Sequence, residues 1–208
     1  MVKLNIGYFL EDIGHENFVK ALVTRVALEM GFASDDLNHD VRNATGGKGT
    51  AMTELQRFLR DVKKGRAFPF AVLVVAIDGN CQGYREKRNE IEKIVQQTGY
   101  PGTPVCVVPD PHIERWYLID PKAFRQAVEI DFSPQVPPYK CERGRYKRAM
   151  QEAFAKAGFA PPLGGLEYGE DIALKINFYT AQKADTAFRH FLNELRSVLI
   201  SLQSDYYE

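Results

Sequence analysis

A chain of 208 residues can bury one full hydrophobic core, and nothing in that length calls for two. Lys plus Arg and Asp plus Glu both total 27, so the net field attracts neither phosphate backbones nor anionic lipid, and any nucleic-acid contact must come from a local patch. Hydrophobic residues at 45% and charged residues at 26% are the balance of a globular chain; with no signal-like N-terminus and no apolar run of membrane-spanning length, the expectation is a cytoplasmic protein without a membrane partner.

The segment Leu4–Leu10 is apolar and β-favouring and stops at Glu11-Asp12, after which Phe18, Leu22, Val26 and Met30 recur at helical spacing up to Gly31. Residues 37–41 read as a short, rather polar second strand. Met52, Leu55, Phe58, Leu59 and Val62 form the stripe of a second helix that ends near Gly65. Residues 70–77 are an unbroken apolar run, as a central parallel strand covered on both faces requires, and the run ends at Asp78. A charged helix over 82–97 and a strand over 103–108 follow, closed by Pro109-Asp110-Pro111. Residues 113–128 begin as a helix, 131–141 read as a proline-rich loop, and helices are expected over 146–157 and 184–202. The alternation predicts an α/β fold built on a parallel, doubly wound sheet. Residues 1–130 form its core, and 131–208 form a loop and helical extension packed on that core, one domain overall.

Cys81, Cys106 and Cys141 are odd in number and far apart, which predicts reduced thiols rather than a disulfide framework or a zinc site. Gly46 to Thr50 is not a phosphate loop, since Gly49 stands where Ser or Thr must follow Lys48, and Arg42 stands at the first Gly. Trp116 is expected as a core anchor.

In an open parallel sheet, ligands collect beyond the C-terminal ends of the strands. Glu11 and Asp12 follow the first strand, Asp78 the central one, and Asp110 and Glu114 the third. Carboxylates gathered on one edge repel one another unless a cation neutralises them, and hard oxygen donors suit Mg²⁺ or Mn²⁺. Taken singly, each of these acids also suits a helix cap.

Phe9-Leu10-Glu11-Asp12-Ile13-Gly14-His15-Glu16 resembles the strand-Glu-Gly-x-x-Asp/Glu segment of Toprim domains, the module of topoisomerases, DnaG primases and OLD-family nucleases. Val74-Val75-Ala76-Ile77-Asp78-Gly79-Asn80 resembles that family's hydrophobic strand ending in Asp-x-Asp. The stretch from Pro109 through Ile113-Glu114-Arg115-Trp116 to Asp120 resembles the Pro-x-Ile-Glu-x-Trp segment of small stand-alone Toprim-like proteins found beside ATPases. The resemblance implies a Toprim-like fold and a Mg²⁺- or Mn²⁺-dependent nuclease that hydrolyses phosphodiester bonds of DNA or RNA. It also implies an effector role in an ATPase-coupled anti-phage or repair system, with the ATPase encoded nearby. By the same resemblance Glu11 is the general acid/base or a metal ligand and Asp78 the principal metal ligand. Asn80 takes the second place of the Asp-x-Asp pair, and Glu114 makes up the charge that Asn80 lacks. That departure at Asn80 keeps open a non-catalytic Toprim-like subunit that binds nucleic acid or a partner.

His15 has the intrinsic pKa of a proton carrier and also the position of a helix cap or surface group. Arg42 and Lys48 in the glycine-rich loop, Arg85, Lys87 and Arg88 after Asp78, and Arg115 are the candidate phosphate contacts, and the denser cluster Arg143, Arg145, Lys147 and Arg148 suits nucleic acid or an acidic partner surface. Glu86, Glu90 and Glu92, interleaved with the cations of 85–93, equally fit a solvated helix face.

Overall fold

The computed structural model describes residues 3–46, 49–65 and 70–206. Four parallel strands, β1 (Leu4–Leu10), β2 (Leu37–Asn43), β3 (Val72–Ala76) and β4 (Val105–Val107), form one sheet in the order β2-β1-β3-β4. Helix α1 (Ile13–Glu29) follows β1, α2 (Ala51–Lys63) follows β2 and α3 (Tyr84–Thr98) follows β3. After β4 come α4 (Glu114–Tyr117), α5 (Pro121–Val128), α6 (Arg145–Lys156), α7 (Gly169–Lys175), α8 (Phe178–Ala184) and α9 (Thr186–Tyr206). This is the α/β architecture expected from the alternating pattern.

Alternation along the strands divides the core. Leu4, Ile6, Tyr8 and Leu10 of β1, with Val72, Val74 and Ala76 of β3, join the larger cluster under α1, α5 and α9. Phe9, Leu73, Val75 and Cys106 face the other way and pack under Leu55 and Leu59 of α2 and Ile91 and Val95 of α3. Both faces of β3 are therefore covered, which is why residues 70–77 carry no polar member. β2 is an edge strand whose side chains alternate between half-buried and exposed, and that exposure accounts for its polar composition. The opposite edge is closed by α9: Glu194 accepts from the Cys106 amide at 3.2 Å and from the Tyr84 hydroxyl at 2.9 Å.

Trp116 is fully buried against Phe188 and Phe191, with ring centroids 4.9 and 6.0 Å away. The helix expected to begin at 113 is two helices. Asp120 interrupts it because Pro121 disfavours helical backbone at the residue before it, and the Asp120 carboxylate then caps α5, accepting from the Lys122 and Ala123 amides at 3.1 and 3.3 Å. Helices α7 and α8 were not anticipated, since at 7 residues each they are too short to show a period. Among the described residues no helix is long and apolar enough to cross a membrane.

The expectation of three reduced thiols is corrected. Cys81 and Cys141 form a disulfide with their Cα atoms 5.6 Å apart, and Cys106 is a buried thiol. Their separation of 60 residues hides a pair that meets because the 131–141 loop folds back over the end of β3. Denatured without reductant, each chain should present one reactive thiol, and three after reduction; two or more beforehand would refute the cross-link. Closing a loop of 60 residues restricts the unfolded chain, so Cys141→Ser should lower the unfolding free energy by up to about 4 kcal/mol in a denaturant titration.

Candidate metal centre

Helices α1 and α3 follow neighbouring strands, β1 and β3, yet lie on opposite faces of the sheet. The winding direction therefore reverses between these strands, and a crevice opens beyond their C-terminal ends. Glu11 is the first residue past β1 and Asp78 the second past β3. The ladder extends to meet them, with the Glu11 amide donating to the Ala76 carbonyl at 2.9 Å and the Ile77 amide to the Val107 carbonyl at 3.0 Å.

The loop after β3 is laced to the turn after β4. The amides of Gly79 and Asn80 donate to the carbonyls of Pro109 and Pro111 at 2.7 and 2.9 Å, and the Cys81 amide donates to Asp110 Oδ1 at 2.9 Å. A Cβ at position 79 would stand 2.6 Å from that Asp110 oxygen, so glycine is required there. Asp110 Oδ2 accepts from the Tyr139 hydroxyl at 2.7 Å, so this acid closes the loop instead of facing the cleft.

Asp78, only 9% exposed, is held on every side. Its Oδ1 faces His15 Nε2 at 3.1 Å and accepts from the Ile113 amide at 2.9 Å, its Oδ2 faces His112 Nδ1 at 3.0 Å, and its own amide donates to Glu11 Oε2 at 2.7 Å. His15 is fully buried, not a surface group, and its Nδ1 lies 2.8 Å from Oδ1 of Asp12, the N-cap of α1. Both ring nitrogens thus face carboxylate oxygens, which accept only, so the ring carries both protons. Burial pushes the His15 pKa down, but the Asp78 charge and the bonds to Asp12 and Asp78 overcome this and lift it to about 10. Burial likewise raises the carboxyl groups of Asp78 and Asp12, and the histidines beside them more than offset it, leaving both below the usual carboxylate range. Glu11 goes the other way: burial first and the Asp78 charge second raise its pKa. Glu114 is also raised, chiefly by burial.

Glu11, His15 and Asp78 offer ligand atoms within 4.8 Å of one another, a group that could hold a metal ion. Asn80 lines the same cleft, and its side-chain nitrogen donates to the Asp78 carbonyl at 3.1 Å, while its Oδ1 is buried without a hydrogen-bond partner. A buried oxygen left over beside carboxylates fits a cation or a water held by one. Glu114 opens α4 and lines the cleft outside the close group. The cleft measures about 420 Å³, and Arg143 and Lys147 also line it, neither having a carboxylate partner among the described residues.

The other cations expected at phosphates are placed elsewhere. Arg88 pairs with Glu92 and Glu194 at 3.0 Å, Arg115 pairs with Asp185, and Arg145 pairs with Glu142 at 3.3 Å. Arg85 is exposed on α3 away from the cleft, and Lys48 lies outside the described residues. His112 escaped the sequence reading, although it stands inside the distinctive Pro109 to Asp120 string.

A family model described as a domain of unknown function, DUF4276, matches residues 10–196. The chain belongs to the DUF4276 family. No curated protein and no solved structure matches it. In this DUF4276 chain the matched span runs from the last residue of β1 into α9 and contains every group of the centre.

The folded protein holds the His15 proton more tightly than the unfolded chain, so the stability this proton contributes is full below pH 6.5 and is lost as the pH rises toward about 10. In the presence of a chelator, the native protein should show a falling melting temperature across that window, and His15→Gln should be less stable at pH 6.5 with a flatter decline. Identical slopes for the two proteins would show that His15 does not hold the extra proton.

Proposed function

We propose that this DUF4276 protein is a Toprim-like, divalent-metal-dependent phosphodiesterase that cuts nucleic acid. The carrying observation is a single cleft with Glu11 and Asp78 joined by His15 on one side and the unpaired cations Arg143 and Lys147 also at its wall. Such a cleft matches a phosphate with a cation at its side.

His15 and Asp78 would hold the metal, with Asn80 offering a neutral oxygen and Glu11 beside them as the base. A bound divalent cation would supply Lewis-acid stabilisation of the charge that grows on a phosphoryl oxygen. The imidazole nitrogen among the donors favours Mn²⁺ over Mg²⁺. For His15 to become a ligand it must give up a proton, so metal affinity rises with pH. Asp12 then acts through His15, holding the far ring nitrogen so that the near one stays aimed at the centre. His112 and the Ile113 amide fix the two Asp78 oxygens in the same way. Glu11, its pKa raised by burial, takes the proton of the attacking water. Arg143 and Lys147 bind the non-bridging oxygens and orient the phosphodiester. Asn80 in place of an acid favours a second reading, metal and nucleic-acid binding without cleavage.

Calorimetric titration should detect Mn²⁺ binding that is tighter than Mg²⁺ binding and strengthens with pH, and plasmid or single-stranded substrates should be cut in Mn²⁺. Asp78→Asn and Glu11→Gln should each lower cleavage by about 100-fold or more, Glu11→Gln while keeping an acceptor for the Asp78 amide. Metal binding without cleavage by any of the three proteins would select the second reading, and no metal binding would overturn both.

A further inference from the structure

A second cavity of about 480 Å³ lies where α2 meets the sheet, lined by Phe9 of β1, Arg42 of β2 and one flank of α2. Its size falls within the roughly 300–1,000 Å³ of sites for small organic ligands. Arg42 from β2 and Arg57 from α2 both line it, and neither has a hydrogen-bond or ion-pair partner among the described residues. Phe58, half-buried with its ring centroid 5.8 Å from that of Phe9, provides an aromatic wall. Two carboxylates also line the cavity and match the two arginines in formal charge. Glu54 accepts from the Thr45 and Gly46 amides at 2.8 Å each and from the Thr50 hydroxyl at 2.9 Å, so it pins the β2-to-α2 loop, and Asp61 is itself partnered.

Register connects this cavity to the metal centre. Phe9 of β1 is the pairing partner of Arg42 of β2, so both side chains point to the α2 face, and Glu11, two residues after Phe9, points the same way. Strand spacing and rise set Arg42 about 8 Å from Glu11 between Cα atoms.

We infer that this cavity is a nucleotide subsite of a single-stranded nucleic acid, with one base against Phe58 and the adjoining phosphate on Arg42 and Arg57. The inference rests on the phosphodiesterase reading for its substrate class, and it adds where the strand runs beyond the phosphate in the acidic cleft. A base presents a flat π-face to an aromatic wall whatever its identity, and guanidinium groups take phosphate oxygens in pairs. A duplex would leave its bases stacked and out of reach of a wall recessed beside the sheet edge, so the substrate is single-stranded or splayed.

The test measures binding separately from cleavage. Fluorescein-labelled dodecamers of deoxyuridine and of uridine are titrated with the full chain in EDTA, followed by fluorescence anisotropy at several salt concentrations. Arg42→Ala/Arg57→Ala should bind at least about 10-fold more weakly than the native protein, with a salt slope smaller by about 1 and an unchanged melting temperature. Phe58→Leu, which keeps an apolar contact to Phe9, should weaken binding several-fold with the salt slope unchanged. The dodecamer that binds more tightly identifies the sugar the subsite accepts. If the native protein binds, the double variant loses binding and neither cuts in Mn²⁺, the subsite stands and cleavage falls. If the native protein cuts and the double variant matches it in affinity, salt slope and KM, the subsite is overturned while cleavage stands. Failure of the native protein to bind either dodecamer also overturns the subsite.

Discussion

The carboxylate of Asp78 is the constraint on which the rest of the structure depends. An ionised carboxylate that is nine-tenths buried is unstable by several kcal/mol unless charge and hydrogen bonds compensate it. The compensation comes from distant parts of the chain: His15 in the first turn of α1, and His112 with the Ile113 amide in the turn before α4. Satisfying one acid therefore fixes how β3, α1 and the 109–113 turn meet. Glu11, accepting from the Asp78 amide, ties the end of β1 into the same arrangement.

The centre also has an internal stand-in for a cation. The His15 charge offsets part of the charge of Asp12 and Asp78 in the folded chain, and a divalent ion that took the His15 nitrogen would displace its proton. A cation bound there would compete with this proton for one set of donors. The His15 charge lets a buried acidic site fold without a bound cation.

The opposite wall is tethered to the same loop. Cys141 joins Cys81, and the Tyr139 hydroxyl reaches Asp110, which itself holds the Cys81 amide. Glu142 draws in Lys140, Arg145 and Arg148. Arg143 and Lys147 are thereby left as the unneutralised cations facing the cleft. Charge near the centre is thus set by which cations find partners within the fold, since the whole chain has none in excess.

Local order was legible in the sequence where the physical signal is local. The apolar runs gave β1 to the residue and β3 within two residues at its start, and the abrupt stops at Glu11 and Asp78 marked the strand ends where the centre lies. Helical period gave α1, α2, α3 and α9, while Pro121 and short α7 and α8 defeated it. Which groups meet there was decided by tertiary structure. The burial of His15, the part of His112, the pairing of Cys81 with Cys141 and the cavity of Arg42 and Arg57 all depend on strand order and register, which bring Glu11 and Asp78 together across 67 positions. By itself the sequence determined where β1 and β3 end and which acids stand there, because period and punctuation act over a few residues. Only the crossing between β1 and β3 decided what those acids face, because burial makes a charge choose its partners from whatever segments the fold brings within hydrogen-bond reach.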